Sequence, residues 1–172
     1  MSATTGMAQQ SAVDEARVHQ ILATIADPEI PVISIVDLGI VRSIVCDASG
    51  VEVGLTSTYS GCPATDVIRS TVLETLQAHG VRARVRMILN PPWTTDWISV
   101  SGRAKLAEYG IVPPRWLHGT RGKATDINDE PVACPRCQSA ETELTSEFGA
   151  TPCKALYRCR SCLEPFERFK CL

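Results

Sequence analysis

The chain has 172 residues, and its 17 basic side chains stand against 19 acidic ones for a formal charge of -2, a balance that offers no electrostatic footprint for nucleic acid. With 44% hydrophobic residues it can pack one ordinary domain plus a small cysteine-rich module, and no apolar run approaches the roughly 18 residues that span a bilayer. The polar start, Met1 to Gln10, lacks a basic segment followed by an apolar one, so the expectation is a cytoplasmic protein with no membrane partner, whose thiols stay reduced.

Residues 1–11 read as disordered. Val18, Ile21, Leu22 and Ile25 then recur at helical spacing, with Ser11 and Asp14 as cap candidates and Pro28 as a stop, which predicts a helix near 12–26. Two β-rich runs, 40–46 and 51–58, flank Asp47-Ala48-Ser49-Gly50 and predict a hairpin. From Ala64 to His79 the stripe Val67, Ile68, Val72 and Leu76 predicts a second helix ending at Gly80. Val81, Ala83, Val85, Met87 and Leu89 alternate with arginines as a strand with one wet face. Asn90-Pro91-Pro92 breaks it, and a short helix over about 99–109 stops at Gly110. Residues 12–112 therefore form an α+β domain with a small sheet backed by helices. The stretch 113–131, rich in Pro, Gly and charge, is the linker to a last segment, 132–172.

That segment holds six of the eight cysteines, four of them as the pairs Cys134/Cys137 and Cys159/Cys162 with 21 residues between. Each pair can turn two sulfurs onto one ion, and a connecting hairpin brings the pairs together, the pattern of a zinc-ribbon-like β domain. So short a segment needs a metal, a disulfide or a partner to fold. Two disulfides are the alternative, but the chain otherwise reads as a reduced protein. Tetrahedral thiolates suit zinc and iron alike, with zinc the expected structural ion. Cys153 and Cys171 are left over as core thiols, a disulfide, or additional ligands.

A second constellation joins the hairpin to the second helix: Thr56-Ser57-Thr58-Tyr59-Ser60-Gly61-Cys62-Pro63. Pro63 suits the first helical position, which puts Cys62 at the N-cap, where free amides favour a thiolate. Gly61 allows close backbone approach. A lone cysteine is as readily a small buried hydrophobe. A third cluster, Asp27-Pro28-Glu29-Ile30-Pro31, sets two carboxylates in a stiff loop. It is suited to a cation or partner, or simply to a turn.

Asp27-Pro28-Glu29, Asp37-Leu38-Gly39-Ile40-Val41 and Thr58-x-x-Gly61-Cys62-Pro63, ahead of Pro92-Trp93-Thr94, resemble the metal-sulfur cluster assembly domain of iron-sulfur biogenesis factors over about residues 12–112. With Trp93-Thr94-Thr95-Asp96-Trp97, Cys134-Pro135-Arg136-Cys137 and the run Phe148 to Cys171, nearly the whole chain resembles the phenylacetate-degradation D family. Asn90 stands where that pattern expects aspartate. The resemblance implies a small mixed sheet and a site of metal or cluster transfer at Cys62, Asp27, Glu29 and Thr58. It also implies an accessory role in the ring-1,2-phenylacetyl-CoA epoxidase system, whose di-iron oxygenase and iron-sulfur flavoprotein reductase would be the partners. Iron or an iron-sulfur cluster would be handled in transit, and a homodimer is compatible with this. The other reading from the same resemblance is a structural or effector subunit acting during turnover.

The residues themselves argue against catalysis by this chain. It has no Gly-rich dinucleotide fingerprint, no Glu-x-x-His pair and only 3 histidines. His19 and His79 fall in predicted helices and His118 in the linker, so no base is placed beside Cys62. A nucleic-acid ribbon could use Tyr157, Phe166 and Phe169 beside basic residues. However, residues 132–172 carry only six basic against five acidic side chains, and these cations are expected to neutralise the thiolate site instead.

Overall fold

Asp14 begins the first helix by accepting the Arg17 amide at 2.7 Å, a role suited to a short carboxylate. The computed structural model describes residues 14–59, 61–116 and 132–170. Ser11 and the rest of 1–11, Ser60, His118, Cys171 and residues 117–131 of the expected linker lie outside the described residues. Helix α1 (Glu15–Leu22) buries Val18, Ile21 and Leu22. It stops short of the predicted Ala26 because the next backbone is drawn elsewhere. Ile35 donates to the Ile25 carbonyl at 3.0 Å, and Asp27 to that of Ile33 at 2.9 Å.

Strands β1 (Val41–Asp47) and β2 (Gly50–Leu55) form the predicted antiparallel hairpin. Helix α2 (Ala64–Ala78) returns the chain so that β3 (Ala83–Met87) pairs parallel with β2, a pairing that needs a crossover. The result is a mixed sheet in the order β1-β2-β3, covered by Ala64, Ile68, Val72 and Leu76 of α2. Both β2 and β3 are shorter than the predicted 51–58 and 81–89. Thr56 leaves the ladder to donate to the Ile40 carbonyl at 2.9 Å, and the β2/β3 register ends at Leu55 and Met87.

A 3₁₀ turn (Thr95–Trp97) leads into α3 (Val100–Glu108), capped by Ser99. Asp37 ties this helix to the loop after α1: Ser99 Oγ and Lys105 Nζ each donate to its carboxylate at 2.6 Å. Gly39, at φ +74°, packs so closely on the turn that a Cβ there would lie 2.6 Å from the Trp97 carbonyl oxygen. Trp93 donates from Nε1 to the Leu38 carbonyl at 3.0 Å. The Asp-Leu-Gly motif is thus a packing joint.

Strand β4 (Ile111–Val112) ends this segment, yet it pairs parallel with β7 (Pro165–Phe169). With β5 (Thr142–Ser146) and β6 (Lys154–Cys159) it completes a second sheet, β4-β7-β6-β5. The ribbon's own buried cluster is Val132, Cys134, Ala155, Tyr157, Cys159 and Phe166. Cys153 and Phe169 instead join the core of the first domain, where the Phe169 ring lies 6.0 Å from that of Trp93 at 44°, a favourable tilted contact.

Hydrogen bonds to a charged group contribute about 1.5–3 kcal/mol, so Asp37→Ala should destabilise the protein by roughly that amount in chemical denaturation. Burial opposes ionisation of Asp37, but hydrogen bonds from Lys105, Ser99 and Ser34 hold its carboxyl below the ordinary 3.8. Its contribution is therefore full above that value and lost as pH falls through the lower folded value. Parent and variant stabilities should converge in acid, and equal stabilities at neutral pH would show that the anchor carries no load.

Candidate functional site

Two turns carry the ribbon sulfurs. In the first, Gln138 donates to the Cys134 carbonyl at 2.9 Å and adopts φ +62°. In the second, the Cys162 amide donates to Cys159 Sγ at 3.5 Å, and Leu163 adopts φ +64°. The Ser139 and Ser161 hydroxyls join the turns at 2.8 Å. This brings Cys134 Sγ to 3.7 Å from Cys162 Sγ and Cys137 Sγ to 3.6 Å from Cys159 Sγ, with all four sulfurs within 4.8 Å of one another. Thiolates bound at ~2.3 Å around a tetrahedral zinc lie ~3.8 Å apart, so these sulfurs form a four-cysteine metal-binding cluster. The described cysteines are all free thiols, and the disulfide alternative finds no pair among them.

Charge on this cluster is self-limiting. The Cys162 amide pulls the Cys159 thiol down, whereas Cys162 itself is pushed up: the Glu164 amide favours its thiolate, but burial and the thiols of Cys137, Cys134 and Cys159 outweigh it. A divalent cation removes the conflict. Three of the six basic side chains expected to neutralise the thiolates are engaged by glutamates. Arg136 pairs with Glu164, Arg160 with Glu143 at 2.7 Å, and Lys154 with Glu167 at 2.6 Å. Of these, Arg136 also feels the sulfurs of Cys162 and Cys134.

The second constellation surrounds a cleft at the start of α2. Gly61 sits at φ +85° with nothing within 4 Å of where a Cβ would be, so glycine serves the turn rather than the close approach expected of it. Pro63, already in right-handed helical conformation, is the residue that caps α2, which leaves Cys62 one position earlier than expected. The cleft, about 10 Å³ or room for about one water, is lined by Asp27, Glu29, Thr58, Cys62 and Cys153, with Phe169 on its apolar wall. It therefore gathers all four residues that the sequence singled out for transfer, and adds Cys153 from the ribbon. Asp27 also performs the turn role, its Oδ1 accepting the Glu29 and Ile30 amides at 2.9 Å.

Burial pushes every acidic group here toward its neutral form. Asp27 is raised by burial against the Glu29 and Ile30 amides and the charge of Lys154, and Glu29 by burial and by Asp27. Cys62 is raised as well, because burial and Glu29 outweigh the Ala64 amide, Tyr59 and Thr65. The expected bias toward a thiolate is thus reversed: the helix end contributes, but desolvation is larger. Burial also raises Cys153, against the Thr151 hydroxyl, and takes Tyr59 to about 12. The Tyr59 hydroxyl is buried beside Cys62 and, among the described residues, outside strict hydrogen-bond geometry with any partner. Among the described residues no histidine lines the cleft; His79 ends α2 with Nδ1 2.8 Å from the Thr75 carbonyl oxygen. Asn90 is exposed and lies outside the cleft. The placement of Phe169 was not legible in the sequence, where a ribbon aromatic reads as local core; for Cys153 the only signal was one thiol more than the ion requires.

Residues 119–170 match the family model described as PaaD zinc beta ribbon domain, and residues 15–86 match that described as iron-sulfur cluster assembly protein. Over 161 residues the chain is 47% identical to an Escherichia coli protein provisionally assigned as a component of 1,2-phenylacetyl-CoA epoxidase, covering 91% of this chain and 94% of that one. Over 95 residues, 54% of this chain and 90% of the other, it is 32% identical to a Porphyromonas gingivalis protein described as an Fe-S protein maturation auxiliary factor. The crystal structure of a domain of unknown function, DUF59, from Bacillus anthracis superposes with a TM-score of 0.51 at 29% identity, covering 54% of this chain and 90% of that domain.

Two outcomes follow from this geometry. Stripping metal with a chelator, or Cys159→Ala, should release the ribbon, withdraw Phe169 from Trp93, and red-shift tryptophan emission. Losing the Phe169 packing alone should lower stability by about 3–5 kcal/mol. Unchanged emission after complete metal loss would show that the first core does not depend on the ribbon. For Cys62, whose thiol lies above the ordinary 9.0, alkylation at neutral pH should be slower than for an unstructured thiol, and its rate should still be rising with pH where that of the unstructured thiol has levelled off. Labelling as fast as the free thiol would contradict the dominance of burial.

Proposed function

The chain belongs to the PaaD family of phenylacetyl-CoA epoxidase components, and from this we propose that it is an accessory factor of such an epoxidase. In this reading it assists assembly of the iron or iron-sulfur centres of the oxygenase or reductase and does not carry out epoxidation. The observation that carries the reading is the cleft at the start of α2, where a half-buried thiol and two carboxylates face one small space within the segment similar to iron-sulfur assembly proteins.

The chemistry of transfer suits such a cleft. Burial raises Asp27, Glu29 and Cys62 alike, and the Cys62 thiol must lose its proton to become a ligand, so an arriving cation displaces that proton and a returning proton helps to release the cation. The ribbon's four sulfurs form a closed cage suited to retention, and zinc is the ion we assign there, as a structural one. An open set of one thiol with carboxylates lets its cargo go.

What supports a non-catalytic role is the lack of a histidine to activate Cys62 among the described cleft residues, together with the missing dinucleotide and di-iron sequence patterns. Cytoplasmic placement belongs to the same proposal; among the described residues no helix is long and apolar enough to cross a membrane.

The test separates maturation from turnover. Oxygenase and reductase produced without this protein should be iron-poor or cluster-poor by metal analysis, and co-production of Cys62→Ala should leave much of that defect. Fully loaded oxygenase and reductase should then turn over without it. If they still need stoichiometric amounts in each round, the protein is a working subunit or effector, and the assembly reading is wrong.

A further inference from the structure

Cys153 is the thiol that neither the ribbon's metal cluster nor the transfer motif uses. It immediately precedes β6 but is 4% exposed in the core of the first domain, on the wall of the cleft that also holds Cys62. Its position is closely specified: Thr151 Oγ1 lies 3.1 Å from its sulfur, and its carbonyl accepts the Lys170 amide at 2.9 Å. A thiol that only filled space would do so at least cost among aliphatic neighbours. Cys153 instead feels the charges of Asp27 and Glu29, and the buried hydroxyl of Tyr59 feels both Cys62 and Cys153.

We propose that Cys153 is the second thiol ligand of the transfer cleft, so that a ferrous ion in transit is held between Cys62 of the first domain and Cys153 of the ribbon, with Asp27 and Glu29 at its side. The inference rests on the assembly reading above and deepens it. Two thiolates with carboxylates suit a borderline divalent ion, and space for about one water admits a single ion more readily than a preformed cluster. Binding releases the two thiol protons to solvent. The resulting excess of negative charge is moderated by Lys154, a buried cation next in sequence to Cys153 that pairs with Glu167 and whose charge also reaches Asp27, Glu29 and Cys153. Among the described residues only the ribbon's four cysteines already lie within 4.8 Å of one another as a group of three or more. The cleft's ligand atoms do not meet that spacing, so the proposed site requires side-chain rotation to close on its ion.

The test uses full-length, zinc-loaded protein titrated anaerobically with ferrous iron. X-ray absorption at the iron edge, which does not see the ribbon's zinc, should show two sulfur neighbours, and Cys62→Ser and Cys153→Ser should each leave one and weaken iron binding at least about tenfold. Cys46→Ser, at an exposed position on β1, should bind as the parent does. One sulfur neighbour in the parent overturns the inference without need of a variant. So does parent-like binding by Cys153→Ser while Cys62→Ser is defective, an outcome that leaves the assembly role standing. If both variants bind iron as the parent does, or the parent binds none, the cleft carries no iron and the assembly reading falls with it.

Discussion

Four thiols within 4.8 Å of one another cannot all ionise without a cation between them, and much of this molecule is arranged by the way that constraint is met. Among the described residues the ribbon's own buried cluster has six members, too little apolar surface to order a segment of its length by itself. An ion held by Cys134, Cys137, Cys159 and Cys162 would fix the turn between the end of β6 and the start of β7. The far end of the same hairpin carries Cys153 and Phe169, the ribbon residues that enter the other domain's core.

The junction is consequently more than contact between two separately folded units. Strand β4 belongs in sequence to the first segment but completes the ribbon's sheet, while Phe169 belongs to the ribbon but packs on Trp93. Each unit lends the other a piece of core. Trp93 in turn donates to the Leu38 carbonyl, next to Asp37 and Gly39, so the same joint that fixes α3 buttresses the wall against which the ribbon docks.

The cleft at this junction works by opposing electrostatics. Desolvation drives Asp27, Glu29, Cys62 and Cys153 toward neutral forms, while amides at the turn and at the start of α2, and the charge of Lys154, pull the other way. A site balanced in this manner is sensitive to the arrival of positive charge. The cage in the ribbon differs in drawing all its ligands from thiols packed closely around one point, which is why we assign a resident ion to one set of sulfurs and propose a passing one for the other.

Local features were legible in the chain alone. Period and punctuation placed α1, α2, α3 and the hairpin close to where they occur, and Cys-x-x-Cys spacing identified the four ribbon ligands, because these depend on neighbours a few residues apart. The match of Asp27, Glu29, Thr58 and Cys62 to a family pattern named the cleft residues, although no spacing rule could bring residue 27 beside residue 62. It took the folded molecule to put Cys153 in the cleft with Cys62, to carry Phe169 out of its own domain, and to raise the Cys62 thiol rather than lower it. One cause underlies all three: burial and long-range packing depend on which surfaces meet, and desolvation at a meeting surface can outweigh the local helix-end effect that sequence position reveals.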